Sequence, residues 1–173
     1  NVDILVQNVE ECFSDYDLFI KTPNTTKGGC GILVRKSIFN NVIIIDNCLQ
    51  YGCNSTTCNK CNMESLWLKL SLNNEKIIVG CIYRHPNGRT DHFNEAYSKY
   101  LQNLNKNATC VIGRDFNIDL LQSERNNISE SLASNLENNF FPCITLPTRI
   151  TERSATLIDL SLIHISEPTR PSR

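Results

Sequence analysis

A pair of neighbouring apolar segments most constrains how this chain can fold. Residues 64–72, ESLWLKLSL, carry leucine at every second position from 66 to 72, which is the pattern of a strand with one buried face. After the polar turn NNEK, residues 77–83 read IIVGCIY, a β-branched run typical of a second strand. The two segments therefore predict an antiparallel hairpin whose second strand ends in Tyr83.

The other segments predict a mixture of strands and helices. Further strands are predicted by aliphatic runs at 2–6, 30–38, 41–46, 108–113 and 155–163. Residues 91–105 carry an apolar stripe at helical spacing and predict an amphipathic helix with Asp91 as its N-cap. A second helix is expected at 129–138. Hairpins mixed with helices predict an α/β fold.

Composition limits the class of protein. The chain has 173 residues, 40% of them hydrophobic, which is enough for one domain with a sizeable core. Its formal net charge of −1 provides no global positive field for nucleic acid, although a local basic groove is compatible with it. The sequence has no long apolar run and no signal-peptide pattern, so no membrane association is expected. Nine cysteines, an odd number, favour free thiols in a reducing, intracellular compartment.

A polar motif follows the apolar run at 108–113. The predicted strand leads into the sequence DFN at 115–117, and alternate strand residues project to the same side, so Asp115 and Asn117 can enter one cleft. There a carboxylate can bind Mg²⁺ or act as a general base, and a carboxamide can hold a phosphate oxygen. The alternative is an Asp/Asn turn that caps the next segment, a role that also suits Asp119.

Two further predicted strands carry polar side chains. Tyr83 is followed by Arg84 and, in a turn, by Asn87. These groups can grip a phosphodiester, or they can be a tyrosine packed at a sheet rim beside a solvated arginine. Asp159 lies within an apolar run, so it is either on a wet face or paired, and a histidine partner would make it an orienting carboxylate. Arg149, in a loop, is a groove contact or a solvated side chain.

Five segments occur in a distinctive order: KGGCGILVRKSI, MESLWLKL, IIVGCIYRHPN, VIGRDFNIDLL, and PTRIT followed by SATLIDL. In this order they resemble the exonuclease–endonuclease–phosphatase superfamily, and more narrowly the apurinic-type endonuclease domain of non-LTR (LINE-like) retrotransposons. The resemblance implies a DNase I-like two-sheet sandwich flanked by helices. It also implies cleavage of DNA phosphodiesters with Mg²⁺ (or Mn²⁺), in a protein that carries a covalently linked reverse transcriptase and acts in the nucleus.

The resemblance also implies roles for individual residues. Tyr83 would lie near the scissile phosphate, and Asp159 would orient a catalytic histidine. Asp115 and Asn117 would align or deprotonate the attacking water and hold the phosphate. The residues expected at contacts with the DNA backbone are Arg84, Asn87 and Arg149.

Some positions depart from the family pattern. Arg114 occupies the position before Asp-x-Asn where glycine is usual, and it would either lower the pKa of Asp115 or point away. The metal-binding glutamate is expected near Val9, so the adjacent Glu10 is the candidate Mg²⁺ ligand. An upstream asparagine motif and the closing Ser-Asp-His motif are both absent from the sequence.

The C-terminal segment predicts a partial domain. Residues 160–170, LSLIHISEPTR, match the translation of a common transposase sequencing adapter, so we expect a domain at 1–160 and a non-native tail at 161–173. The histidine that Asp159 would orient is then missing, because His164 belongs to this tail. We therefore expect little or no nuclease activity from this polypeptide.

A cluster of cysteines lies between the predicted strands: Cys48, Cys53, Cys58 and Cys61. Its Cys-x₂-Cys is a common half of a tetrahedral zinc site, so a structural zinc is one interpretation. Free thiols and disulfides are the alternatives. A zinc ion here would fix a surface insertion and would take no part in the chemistry.

Three functions are compatible with the sequence. The first is a DNA endonuclease domain that nicks target DNA. The second is another phosphoesterase of the same superfamily, acting on lipid or inositol phosphates. The third is a non-catalytic remnant that binds DNA or is held together by zinc, which Arg114 and the missing histidine favour for this chain.

Overall fold

The computed structural model describes residues 7–9, 11–22, 28–39, 41–45, 63–73, 75–104, 107–119, 121, 135 and 137–165. The strand expected at 2–6 lies outside these ranges, as does most of the helix expected at 129–138. In chain order the described elements are β1 (Tyr16–Lys21), β2 (Cys30–Arg35), β3 (Val42–Ile44), β4 (Met63–Leu72), β5 (Glu75–Arg84), α1 (Thr90–Asn103), β6 (Thr109–Asp115), β7 (Phe141–Pro142), β8 (Arg149–Ile150), β9 (Ala155–Thr156) and β10 (Asp159–His164).

A six-stranded sheet is the framework of the described structure. Its strands lie in the order β3-β4-β5-β6-β10-β7, and the predicted hairpin is confirmed as β4 and β5, which pair from Leu72 and Glu75 to Met63 and Arg84. β5 and β6 are parallel, whereas the other neighbouring strands are antiparallel. A parallel pair needs a crossover connection, and α1 provides it.

Helix α1 covers one face of this sheet. Its apolar stripe buries Phe93, Tyr97 and Leu101 against sheet residues that include Trp67 and Ile112. The helix begins one residue before the expected start, with Arg89 at the N-cap and Asp91 in the first turn. No helix among the described residues is long and apolar enough to cross a membrane.

A second, smaller sheet covers part of the opposite face. It consists of β1 and β2, which pair antiparallel, and Cys30 and Val34 of β2 pack on Leu66, Leu68 and Leu70 of β4. These leucines are the alternate positions that predicted a half-buried strand. The predicted two-sheet α/β sandwich is therefore confirmed, with α1 as its one long described helix; β1 had no counterpart in the sequence prediction.

The strand expected at 155–163 has a different form in the structure. It divides into β9, which pairs with β8 in a small hairpin, and β10, which lies inside the main sheet between β6 and β7. β10 includes residues 161–164 of the segment that we expected to be a tail, and its Leu160 and Leu162 are buried. Their alternation with Ser161 matches the two-residue repeat of a strand.

Candidate active site

Four polar residues form a row across one end of the main sheet. The register pairs Glu64 with Tyr83, Tyr83 with Asp115 and Asp115 with Asp159. Side chains of residues directly opposite each other project to the same face of a sheet, so all four lie on the face that carries β1 and β2. We call this set the polar row; it brings together three of the predicted catalytic residues, Tyr83, Asp115 and Asp159.

Asp115 ends β6 in the middle of the polar row. Desolvation raises the pKa of its carboxyl group, and the charge of Asp159 raises it further. Two influences oppose this rise in pKa: a hydrogen bond from the backbone N–H of Asn117, 3.0 Å from Oδ1, and the charge of Arg84. A carboxylate whose pKa is raised is a stronger base than an ordinary aspartate, which suits it to accept a proton from water.

Arg114 points away from Asp115, the second of the two orientations that its sequence position allowed. It is 5% exposed and lies on the α1 face, where its Nη1 donates to the Tyr97 hydroxyl at 2.9 Å. Its guanidinium carbon lies 4.1 Å from the centre of the Phe116 ring, within the range of a cation–π contact. The pKa of Asp115 is raised rather than lowered, so Arg114 does not weaken this base.

Asn117 joins the ends of two strands. Its backbone has a φ of 50°, a left-handed conformation that asparagine tolerates better than most residues, and its Nδ2 donates to the Arg84 carbonyl at 2.8 Å. The structure thus uses the amide nitrogen of Asn117 to hold β6 against β5. This contact fixes the position of Asp115 relative to Tyr83.

Arg84, expected to contact DNA, is placed inside the protein. The residue is 4% exposed, and its Nη1 donates to the carbonyls of His85 at 2.8 Å and Gly88 at 3.0 Å. It therefore shapes the turn after β5 and does not face a backbone phosphate, which corrects the expected role. Asn87 lies in that same turn and is exposed.

The structure adds a histidine and a glutamate that sequence reasoning missed. His85 Nε2 lies 3.0 Å from Glu64 Oε1, and the His85 ring packs edge-on against the Tyr83 ring, with 4.8 Å between their centres. Glu64 also accepts a hydrogen bond from the backbone N–H of Gly29. The sequence signal was weak, because the three residues meet only once the register of β4 and β5 is known.

Gly28 lies beside Glu64 in a conformation that favours glycine. Its φ is +114°, a conformation that L side chains rarely adopt, and a Cβ atom there would lie 2.8 Å from the Glu64 Oε2. Glycine is the residue that tolerates both constraints. The backbone N–H of Gly29, the next residue of the KGGCG segment, is the group that binds the Glu64 carboxylate.

The β8–β9 hairpin approaches the polar row through backbone contacts. Thr148 Oγ1 accepts hydrogen bonds from the N–H of Ile158 at 3.3 Å and of Asp159 at 3.2 Å. Asp119 Oδ1 accepts from the N–H of Leu121 at 3.1 Å, which is a local capping contact, and also from the N–H of Leu157 at 3.1 Å, which ties it to this hairpin. Arg149 is exposed on this hairpin.

His164, in the segment that we expected to be a tail, does not lie beside Asp159. His164 pairs in register with Cys110, at the opposite end of β10, while Asp159 pairs with Asp115. The His164 Nδ1 lies 3.1 Å from the Asn139 carbonyl oxygen. Among the described residues, Asp159 therefore lies opposite a second carboxylate, that of Asp115.

The expected metal ligands fall largely outside the described residues. Glu10 lies there, as does the cysteine cluster, whose members are Cys48, Cys53, Cys58 and Cys61. Within the described part of the chain, no group of three or more histidine, cysteine, aspartate or glutamate side chains is arranged to hold a metal ion. The polar row contains three carboxylates, Glu64, Asp115 and Asp159, of which Asp115 and Asp159 lie directly opposite each other.

Comparison with solved structures identifies the fold. The endonuclease domain of TRAS1, a telomere-specific non-LTR retrotransposon, matches with a TM-score of 0.61 and 12% identity over 86% of this chain and 66% of that one. TDP2 from D. rerio, complexed with a single-strand DNA product, matches with a TM-score of 0.59 and 15% identity, covering 98% and 69%. An endonuclease/exonuclease/phosphatase from Bacteroides vulgatus matches with a TM-score of 0.64 and 11% identity, covering 92% and 68%.

These likenesses establish the architecture of the chain as the DNase I-like fold of endonuclease/exonuclease/phosphatase proteins. The chain spans about two thirds of the length of each of the three structures. Neither a protein-family model nor a curated protein sequence matches it.

Proposed function

We propose that this chain is a Mg²⁺-dependent phosphodiesterase domain that nicks DNA, and that it belongs to a retrotransposon protein with a linked reverse transcriptase. The observation that carries the proposal is the polar row, which places Tyr83, Asp115 and Asp159 side by side on one face of a DNase I-like sheet. The likeness to the endonuclease domain of a retrotransposon and to TDP2 complexed with a single-strand DNA product supports DNA as the substrate.

The residues of the polar row fit a divalent cation. Asp115 and Asp159 are like charges in register on adjacent strands, and their mutual repulsion contributes to the raised pKa of Asp115. Mg²⁺ is bound in proteins by one or two carboxylates, with water and substrate phosphate completing its shell. When bound, the ion would neutralise the negative charge that develops on the phosphoryl oxygens.

The protein's own side chains would activate the water and bind the phosphate and the DNA backbone. Asp115 would align or deprotonate the attacking water. The Tyr83 phenol and the imidazole of His85 lie on the same side and can donate hydrogen bonds to phosphate oxygens. Glu64 orients His85 through Nε2, and Arg149 on the exposed hairpin is available to the DNA backbone.

Turnover should be slow, because Asp159 faces Asp115 and not a histidine among the described residues. The test is nicking of supercoiled plasmid with Mg²⁺ and with EDTA, comparing the chain with a variant carrying both Asp115→Ala and Asp159→Ala. Glu95→Ala, an exposed change on α1, is the matched control. We expect slow Mg²⁺-dependent nicking that the double variant loses and the control keeps.

Equal nicking by the chain and the double variant would contradict the proposal. Duplex binding without any nicking would instead support the non-catalytic remnant. The dependence of that binding on salt concentration would then give the number of phosphate contacts.

The second enzymatic candidate is a phosphoesterase acting on lipid or inositol phosphates, which the phosphatase members of the fold favour. Faster release of phosphate from an inositol phosphate than nicking of plasmid would establish it.

A further inference from the structure

Two cysteines, Cys30 and Cys81, lie close together between the two sheets, next to the polar row. Cys30 is the first residue of β2 and is 5% exposed. Cys81 lies on β5, two positions before Tyr83 on the same face, and is partly exposed. A hydrogen bond joins the two thiol groups, so the side chains are in contact across the layers.

Each sulfur also contacts the strand that carries the other cysteine. The backbone N–H of Tyr83, on β5, lies near the sulfur of Cys30 and lowers its pKa, and the backbone N–H of Gly31, on β2, lies near the sulfur of Cys81 and lowers its pKa. Cys30 Sγ also lies 3.5 Å from the Glu64 carbonyl oxygen. This reciprocal arrangement holds both sulfur atoms in the narrow space where β2 approaches β5.

The two thiols have different reactivities. The hydrogen bond from Cys30 lowers the pKa of Cys81 to about 7, and the N–H of Gly31 lowers it further. The pKa of Cys30 is raised, because a second thiolate there would be buried and would face both Cys81 and Glu64. An outside reagent reaches the partly exposed Cys81 before the buried Cys30, and the thiolate is the nucleophile in disulfide exchange, so Cys81 reacts first and Cys30 second.

We propose that Cys30 and Cys81 form a dithiol modification site that closes to a disulfide on reaction with a small-molecule disulfide such as oxidised glutathione. The Cys81 thiolate attacks one sulfur of the reagent, whose S–S bond breaks and releases one reagent thiolate. Cys30 then loses its proton to solvent and attacks the Cys81 sulfur, which expels the second reagent thiolate. The two cysteines are oxidised to one disulfide, and the reagent is reduced to two thiols.

The sequence makes the disulfide easy to detect. Trypsin cleaves after Lys27 and Arg35 and after Lys76 and Arg84, so each cysteine lies on its own peptide, at 28–35 and 77–84, with no other cysteine. The native, reduced chain is treated with oxidised glutathione, alkylated, digested and analysed by mass spectrometry. We expect a linked 28–35/77–84 peptide, lighter by two hydrogen atoms than the sum of its parts, that dithiothreitol removes.

Variants separate the proposed pair from general thiol oxidation. Cys81→Ser should abolish the linked peptide, and Cys110→Ser, a buried cysteine on β6, should leave it unchanged. Circular dichroism checks that each variant is folded, and mapping of the unsubstituted chain decides the question if a variant is not. A peptide 77–84 that carries only glutathione, or a linked peptide that forms only in denaturant, would overturn the proposal.

Discussion

The two faces of the main sheet differ most at the end where the polar row lies. On β5, Tyr83 faces the polar row while its neighbour Arg84 is buried on the side of α1; on β6, Asp115 and Arg114 divide in the same way. The alternation of a strand therefore separates two tasks within single dipeptides. The α1 face stabilises the fold, and the opposite face carries the carboxylates and the phenol of the polar row.

The largest effect of a substitution is expected at Asp115, on the open face of the sheet, and it concerns the rate of nicking. Asp115→Asn keeps the size of the side chain but removes the proton acceptor, and general-base catalysis contributes on the order of 10²–10⁴-fold. We expect plasmid nicking to fall about 10³-fold, while the free energy of unfolding in urea does not decrease. A variant that nicks within a factor of three of the parent chain would remove Asp115 from the chemistry.

The next effect is expected on the α1 face, at Arg114. Arg114→Ala removes contacts with the rings of Phe116 and Tyr97 and leaves a cavity, which should lower the free energy of unfolding by about 3 kcal/mol. Arg114→Met fills most of that volume and is the matched control, with a smaller loss. Both variants should nick DNA normally per folded molecule; a tenfold slower rate in the folded variants would show that the two faces are not separate.

A smaller effect is expected at the pair of His85 and Glu64. His85→Asn removes the imidazole that contacts Tyr83, and loss of one hydrogen-bonding group near a phosphate should slow nicking about 10-fold, equivalent to about 1.4 kcal/mol. His92→Asn, on α1, is the control. Equal rates for His85→Asn and the parent chain would restrict His85 to shaping the turn.

The smallest effect is a change in the pH dependence of stability. The pKa of Asp115 is higher in the folded chain than in the unfolded chain, so its stabilising contribution is present at low pH and is lost as the pH rises through the raised pKa. Asp115→Asn removes this loss, and its Tm should exceed that of the parent chain at pH 7 by at most a few degrees. Near pH 3 the difference should disappear; a larger advantage at pH 3 than at pH 7 would contradict the direction.

Much of the fold could be predicted because its strands carry clear patterns. The leucine alternation of β4 and the apolar run of β5 fix a hairpin, and the stripe around Tyr97 fixes α1. The direction of Arg114 also follows from alternation, once Asp115 is assigned to the open face. β1 was missed because its polar and apolar residues alternate too weakly to distinguish a strand from a loop.

The contacts of the site could be predicted only in part. Glu64 and His85 are 21 positions apart, and their meeting depends on a register that no local pattern specifies. Arg84 was assigned to DNA because it follows Tyr83, whereas the turn after β5 needs a donor for its carbonyl groups. Residues 161–164 form part of β10 because their alternation suits a buried strand, whatever the origin of that segment.

The central claim, that the polar row binds a divalent cation for phosphodiester chemistry, is tested most directly by paramagnetic broadening with Mn²⁺. Amide signals of the ¹⁵N-labelled chain are followed as Mn²⁺ is added, since the ion broadens signals close to it. We predict that the signals of Tyr83, Asp115, Asn117 and Asp159 broaden first, and that Asp115→Asn weakens this effect. Broadening confined to other residues, or unchanged by Asp115→Asn, would contradict the account.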